Sequence, residues 1–159
     1  YDEEGAALVT DIIAKAQAKG VQIHLPTDFV TGDKFAADAA VGSADVASGI
    51  PEGHMGLDIG SQSVTAFNAA IGRANTIVWN GPMGVFEFEK FSNGTFTVAK
   101  ALKEATDLGG YTLIGGGDSV AAINAAKLAD QVSYVSTGGG AMLEYLEGKV
   151  LPVIAAMAE

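Results

Sequence analysis

The stretch Tyr111-Thr-Leu-Ile-Gly-Gly-Gly-Asp-Ser-Val-Ala-Ala-Ile123 decides the fold, because it reads as a strand, a glycine turn and a helix. Tyr111 to Ile114 is a short apolar and β-branched run, which is typical of a buried strand. The residues Gly115, Gly116 and Gly117 carry no Cβ, so their backbone can adopt positive φ and a ligand can approach their N–H groups closely. This order of elements predicts a β–α unit with an accessible turn.

The helix that follows the turn makes it a candidate anion site. We expect Asp118 or Ser119 to cap this helix. The first N–H groups of a helix lack internal partners, and the helix dipole makes that end positive. The turn is therefore predicted to receive a phosphate. A β–α turn that needs its glycines only for packing is the alternative.

A second glycine triplet favours the phosphate interpretation. Gly138, Gly139 and Gly140 follow a strand-like run, Val132 to Val135, and precede a helical pattern. Because the carboxyl ends of parallel strands meet at one edge of a sheet, we expect the two triplets to lie together at a ligand-binding edge.

Composition limits the classes of function. The chain has 159 residues, 48% of them hydrophobic, which predicts one globular domain with a substantial core. Its net charge of −10 argues against nucleic acid and anionic membranes as partners. No apolar run reaches the roughly 18 residues of a membrane span. Since cysteine is absent from the sequence, disulfides and thiolate chemistry are excluded. The start, which has no methionine, suggests a piece of a longer protein.

The remaining patterns predict an α/β fold. Strands alternate with helical patterns of 10 to 15 residues, as in a Rossmann-like, three-layer α/β/α domain with a mainly parallel sheet. The predicted elements are a helix over 2–19, a strand over 21–25, an irregular region over 27–51 with an edge strand at 45–48, a helix capped by Ser61, a central strand over 76–79 and a helix over 96–105.

The loop after the strand over 76–79 has two possible roles. Asn80, Gly81 and Pro82 enforce a turn. Val85 and Phe86 are apolar side chains at the carboxyl end of a strand, where they can form a wall for a flat ring. On residue type alone, packing of these two side chains into the core is an equal alternative.

Several familiar catalytic motifs are absent from this sequence. There is no G-x-x-x-x-G-K-[ST], and Val120 stands where the dinucleotide fingerprint needs its third glycine. No histidine follows residue 54 to serve as the base of a serine hydrolase. Phosphoryl transfer remains, since it depends mostly on positioning and charge neutralisation. Asp118 is placed to hold Mg²⁺ against phosphate oxygens, with a simple helix cap as its alternative role.

Three motifs, taken in order, closely resemble the phosphoglycerate kinase family. They are Val78-Trp-Asn-Gly-Pro-Met-Gly-Val-Phe-Glu87, Ile114-Gly-Gly-Gly-Asp-Ser119 and Val135-Ser-Thr-Gly-Gly-Gly-Ala141. The resemblance covers essentially the whole chain. It implies that residues 1–159 are most of the nucleotide-binding C-terminal domain of a two-domain enzyme. The N-terminal, phosphoglycerate-binding domain and the early strands of the C-terminal domain, with their phosphate-contacting lysine, are missing from this sequence.

The resemblance also implies an activity and a nucleotide site. The family transfers a phosphoryl group between 1,3-bisphosphoglycerate and ADP, with Mg²⁺, giving ATP and 3-phosphoglycerate in glycolysis. Gly56 and Leu57 match positions that border the adenine, and Glu87 matches the acid that hydrogen-bonds the ribose. The loop on the other side of the nucleotide is matched by Asn80, Gly81, Pro82, Val85 and Phe86.

The remaining matches concern the phosphates. Asp118 matches the residue near the metal, close or through water, and Ser119 its phosphate-contacting neighbour. The turn that receives the transferred phosphoryl group is matched by Gly115, Gly116 and Gly117. A second turn, in the cleft between the domains, is matched by Gly138, Gly139 and Gly140.

The activity of this chain without the missing parts of the enzyme is a separate expectation. No Lys or Arg stands next to either glycine triplet, so the positive charge for phosphates has to come from elsewhere. We therefore expect the chain to be inactive alone. The resemblance further implies that the full-length enzyme is monomeric and, together with the lack of cysteine, that it is cytoplasmic. A non-catalytic nucleotide-binding or interaction module is the alternative. A dinucleotide-dependent oxidoreductase is disfavoured by the failed fingerprint.

Overall fold

The computed structural model describes residues 2–157, so residues 1, 158 and 159 of the predicted domain lie outside the described part. The strands are β1 (Asp28–Gly32), β2 (Val41–Asp45), β3 (Met55–Ile59), β4 (Thr76–Trp79), β5 (Tyr111–Ile114) and β6 (Tyr134–Val135). The α-helices are α1 (Glu3–Ala18), α2 (Ser61–Ile71), α3 (Asn93–Asp107), α4 (Gly117–Ala125), α5 (Gly139–Leu146) and α6 (Pro152–Met157). Short 3₁₀ turns cover Glu89–Phe91 and Ala129–Gln131.

A parallel sheet with the order β4-β5-β6 carries the glycine turns. This sheet confirms the predicted α/β class. Among the described strands, β5 holds the centre of this sheet and β4 lies at its edge, so the prediction that β4 is central is wrong. The outer side of β4 pairs with no strand in residues 2–157, and one of its faces is uncovered, so that Val78 is 42% exposed.

The other three strands form an antiparallel sheet, with the order β2-β1-β3, that the sequence did not predict. The region over 27–51 is therefore not irregular, although it lacks a clear apolar alternation. The edge strand expected at 45–48 is also misplaced, since β2 ends at Asp45. The carboxylate of Asp45 accepts a hydrogen bond from the N–H of Ser48 at 2.6 Å, which fixes a turn there.

The N-terminal helix and the segment after it are largely exposed in the part of the chain that the structure describes. The predicted helix is confirmed as α1, but none of its residues is buried within the described part of the chain. The predicted strand Val21 to Leu25 is wrong. This segment has no regular secondary structure and pairs with no described strand, and Val21, Ile23 and Leu25 are exposed. A strand needs a neighbour for its backbone hydrogen bonds, and β-branched composition alone does not supply one.

Within the described residues, two apolar clusters form the core. The larger one joins the parallel sheet to α3 and α4 and consists of Trp79, Val98, Ala99, Leu102, Ile114, Ala122 and Ile123. The smaller one lies beside the antiparallel sheet and consists of Ala39, Leu57 and Phe91. The loop between β4 and α3 contributes side chains to both clusters, so it is fixed to both sheets.

Helix α2 is capped from a distant strand. The prediction that Ser61 caps this helix is wrong, because the N-cap position is Gly60. Asp28, on β1, takes over the role: its carboxylate accepts hydrogen bonds from the N–H groups of Gln62 (3.0 Å) and Ser63 (2.8 Å) and from the Ser63 hydroxyl (2.6 Å). Burial acts to raise the pKa of Asp28, but these hydrogen bonds together hold it below its ordinary value.

The substitution Asp28→Ala is expected to lower the free energy of unfolding by about 1 kcal/mol, as for the loss of a helix cap. The folded state binds a proton at Asp28 less readily than the unfolded chain. The contribution of the carboxylate is therefore present at neutral pH and is lost as the pH falls below the ordinary value of an aspartate.

Urea unfolding of both proteins between pH 7 and pH 3 measures this effect. Asp38→Ala is the control, since Asp38 pairs with Lys34 on the surface, and it should cost less stability than Asp28→Ala. A difference between wild type and Asp28→Ala that does not shrink with falling pH would contradict the capping role.

Candidate functional site

Parallel pairing aligns the ends of three strands. Trp79, Ile114 and Val135 lie side by side in the register of β4, β5 and β6. The ladder continues into the turns, because the N–H of Gly115 donates to the Trp79 carbonyl at 3.0 Å and the N–H of Ser136 donates to the Ile114 carbonyl at 2.7 Å. The loops that follow these strands therefore leave the sheet from the same edge, as expected from the sequence.

The two glycine triplets are in direct contact. A Cβ added to Gly139 would lie 2.6 Å from the nitrogen and 2.7 Å from the Cα of Gly116. Gly116 itself has φ of +91°, and a Cβ there would collide with the side-chain oxygen of Asn80. The expected meeting of both triplets at one edge is confirmed, and Asn80 joins them.

The start of α4 presents free backbone donors. Its N-cap is Gly116, and no side chain in the described residues caps the helix, so the capping role expected of Asp118 or Ser119 is wrong. Gly117 and Asp118 are exposed, whereas Gly115 and Ser119 are buried. Since the Gly115 N–H is occupied by the ladder, the donors open to an anion belong to the first turn of α4.

Ser119 turns inward and organises the neighbouring loop. Its hydroxyl accepts a hydrogen bond of 2.6 Å from the N–H of Gly81, which has φ of +112°. The side chain is fully buried. A direct contact between Ser119 and a phosphate stays a prediction, and the geometry adds a role in holding the Asn80-Gly81 turn.

The apolar residues of the loop pack inward. Val85 packs against the cluster around Phe91, and Phe86 packs against the larger cluster and meets Phe96 edge to face at 6.4 Å. Both side chains remain half-buried. The two alternatives left open by the sequence are thus compatible: these residues anchor the loop in the core and keep one side available.

A cavity of about 400 Å³ lies between this loop and β3. Its walls include Gly56 and Leu57 on one side and Val85 on the other, so the structure brings together residues predicted to border a ring. Pro82 is half-buried in the same loop, and Glu87 is exposed near its end. A larger cavity of about 650 Å³ lies between β1, β2 and the start of α2, but it contains none of the predicted site residues.

Sequence reasoning missed two buried polar residues beside the loop. Asp58 is 4% exposed, and its carboxylate accepts hydrogen bonds from the N–H groups of Gly94 (2.7 Å) and Ile59 (2.9 Å). Burial raises the pKa of Asp58, although both hydrogen bonds oppose the shift. The hydroxyl of Thr95 accepts hydrogen bonds from the loop N–H groups of Met83 and Gly84. The sequence held a signal for Asp58, because it is an acid between apolar strand residues. It held no comparable signal for Thr95.

The residues at the turn are compatible with Mg²⁺ only in the presence of a phosphate. No group of three or more acidic or histidine side chains within residues 2–157 could hold a metal ion. Magnesium, however, commonly binds through one or two carboxylates together with substrate phosphates and water. The exposed Asp118 at the turn supplies one such carboxylate.

Comparison with known proteins decides the family. The family model described as phosphoglycerate kinase matches residues 1–149. The chain belongs to the phosphoglycerate kinase family. It is 56% identical over 158 residues to a probable phosphoglycerate kinase of Caenorhabditis elegans and 54% identical over 158 residues to phosphoglycerate kinase 1 of Mus musculus. Each alignment covers 99% of this chain and 38% of the relative.

Solved phosphoglycerate kinases share the fold. The enzyme of Coxiella burnetii superposes with a TM-score of 0.87 at 38% identity, over 94% of this chain and 38% of that one. The enzyme of Pyrococcus horikoshii superposes with a TM-score of 0.79 at 30% identity, over 98% and 37% of the two chains. The chain thus has a partial Rossmann-like fold and spans about 38% of the length of its phosphoglycerate kinase relatives. Among residues 2–157, no helix has the length and apolar content needed to cross a membrane.

The contact between the glycine turns predicts unequal effects of two alanine substitutions. Gly139→Ala should lower the free energy of unfolding by about 1–3 kcal/mol, because the new methyl group would overlap the backbone of Gly116. Gly140→Ala should be neutral or stabilising, since a Cβ there meets no atom within 4 Å and alanine favours a helix.

Urea unfolding measures both free energies. Gly140→Ala is a matched control, because it makes the same substitution one residue along the same helix. Equal effects of the two substitutions would contradict the contact.

Proposed function

We propose that this chain is the nucleotide-binding part of a phosphoglycerate kinase, which transfers a phosphoryl group between 1,3-bisphosphoglycerate and ADP. One observation carries the proposal: the glycine turns after β5 and β6 touch at the sheet edge where α4 begins without a cap. Backbone donors at an uncapped helix start suit a group that develops negative charge during transfer. Family membership supports the choice of reaction.

The ring of the nucleotide is assigned to the cavity between β3 and the loop. Gly56 and Leu57 would line one side of the adenine, and Val85 the other. Glu87 would accept hydrogen bonds from the ribose hydroxyls, because a carboxylate is an acceptor-only group. Asn80, Gly81, Pro82 and Phe86 would complete the loop, and its backbone is held in place by Ser119 and Leu57.

The phosphates are assigned to the glycine turns. The first N–H groups of α4, next to Gly116 and Gly117, would bind phosphate oxygens with the help of the helix dipole. Gly138, Gly139 and Gly140 would approach the transferred group from the neighbouring turn. Asp118 would hold Mg²⁺, which when bound neutralises the negative charge of the phosphate oxygens. Ser119 would support the turn from below.

The rest of the reaction is assigned to polypeptide outside this chain. The net charge of the chain is −10, and no Lys or Arg stands beside either glycine triplet. The several negative charges of 1,3-bisphosphoglycerate and 3-phosphoglycerate call for basic residues, which a further domain would supply. This chain would then bind ADP or ATP but would not complete the transfer alone.

The nucleotide assignment is tested by calorimetry of MgADP binding to the complete natural protein. Glu87→Ala and Asp118→Ala should each weaken binding about ten- to a hundredfold, because each removes a charged partner. Glu89→Ala is the control, since Glu89 is also an exposed acid close in sequence. With EDTA present, the effect of Asp118→Ala should disappear while that of Glu87→Ala persists.

Two results would count against this assignment. No binding of MgADP by the wild type would favour a purely structural module. Equal losses in Glu87→Ala and Glu89→Ala would show that the effect is one of general charge and not of a ribose contact.

A coupled kinase assay tests the division of labour. The 159 residues alone should give no turnover with 1,3-bisphosphoglycerate and MgADP, whereas the complete natural protein should. Normal rates from the 159 residues would disprove the division. Nucleotide binding without turnover by the complete protein would favour the alternative, a non-catalytic nucleotide-binding module.

A further inference from the structure

Thr95 has a buried hydroxyl group that accepts hydrogen bonds from two backbone N–H groups. It lies in the first turn of α3 and has no exposed surface. Its Oγ1 accepts hydrogen bonds from the N–H groups of Met83 at 3.0 Å and Gly84 at 3.1 Å. Both donors belong to the loop that precedes Val85. A buried N–H without a partner is costly, so this oxygen fixes the middle of the loop.

The loop is attached at three successive points, and Thr95 provides the central one. Before it, the Gly81 N–H donates to the buried Ser119 hydroxyl. After it, the Val85 N–H donates to the Leu57 carbonyl at 2.8 Å. The last bond sets Val85 opposite Leu57 across the 400 Å³ cavity. The position of this wall therefore depends on how the loop backbone is held.

Asp58 fixes Thr95 from the other side. Its buried carboxylate accepts the N–H of Gly94, the residue before Thr95, at 2.7 Å. Gly84 also packs against this carboxylate: a Cβ on Gly84 would collide with it and would lie 2.6 Å from the Leu57 carbonyl oxygen. The start of α3, the loop and β3 thus meet at one buried junction formed by Asp58, Gly84, Gly94 and Thr95.

We propose that Thr95 is a positioning residue for nucleotide binding: its hydroxyl oxygen, set by Asp58, holds the loop over 80–87 against β3 at the width that a nucleotide base needs. This inference rests on the proposed function, because it assigns the cavity to the base of ADP or ATP. Thr95 does not touch the ligand. Loss of its oxygen frees two N–H groups and lets the loop move away from Leu57.

The test compares Thr95→Val with Thr95→Ser and Thr106→Val in the complete natural protein. Valine keeps the shape of threonine but removes the acceptor, and serine restores the acceptor. Thr106 is a matched control in the same helix, because its hydroxyl contacts the Leu102 carbonyl and Thr112, away from the loop. If the Thr95→Val protein does not fold, Thr95→Ala takes its place, because alanine removes the same acceptor without added bulk.

Two measurements are made on each variant. Hydrogen exchange of the peptide over 80–88, without nucleotide, should be at least about tenfold faster in Thr95→Val than in the wild type. The KM for MgADP should rise about tenfold, with a smaller change in kcat. Thr95→Ser should restore both quantities, and Thr106→Val should leave both close to wild type.

The outcomes separate the two proposals. Unchanged loop exchange in Thr95→Val, or an equal rise in KM in Thr106→Val, overturns the positioning role while leaving the nucleotide site intact. A wild-type protein that binds no MgADP overturns the proposed function, and the positioning role falls with it.

Discussion

The parallel pairing of three short strands is the constraint on which the site depends. Trp79, Ile114 and Val135 share one register, so the residues after them have to emerge at a single edge. Backbone hydrogen bonds then extend the ladder by one residue beyond β5, at Gly115, and by one residue beyond β6, at Ser136. Because the turns are adjacent, only glycine leaves room for the backbone of residue 139 to rest on that of residue 116.

In the proposed function, backbone donors would solve a charge problem. An acidic chain with a net charge of −10 repels phosphates, and no Lys or Arg stands beside its glycine triplets. An uncapped helix start offers N–H groups and a positive dipole without any basic side chain. Asp118 is exposed and does not cap α4. In the proposed function, this carboxylate would be available to a bound cation.

Buried hydroxyls and one buried carboxylate connect the sheets to the loop. Ser119, Thr95 and Asp58 each receive backbone N–H groups from another element. Such bonds satisfy donors that would otherwise be orphaned in the interior, and they fix geometry at the same time. Side chains of Val85 and Phe86 add an apolar anchor in each of the two clusters. The loop is therefore rigidly supported although it carries residues that are predicted to touch a ligand.

The sequence by itself determined the local units. Apolar runs next to glycine triplets specified β5, α4 and the edge at which the turns lie, because strand, turn and helix signals there are all short-range. Motif similarity specified the family, since its residues are close in sequence. The sequence could not specify the antiparallel sheet, because strands such as β2 show little apolar alternation and gain their hydrogen bonds only from distant partners. Likewise, Val21 to Leu25 has strand composition but no partner in the described chain.

Tertiary structure alone decided which polar groups meet across long separations. Asp28 caps α2, which begins more than 30 residues later, and Ser119 holds Gly81, 38 residues earlier. The Thr95 hydroxyl accepts hydrogen bonds from the loop, and the residues next to Thr95 in sequence do not predict this contact. The physical reason is that periodicity and propensity describe a residue against its own neighbours, whereas a buried hydrogen bond depends on which distant backbone group the packing leaves without a partner.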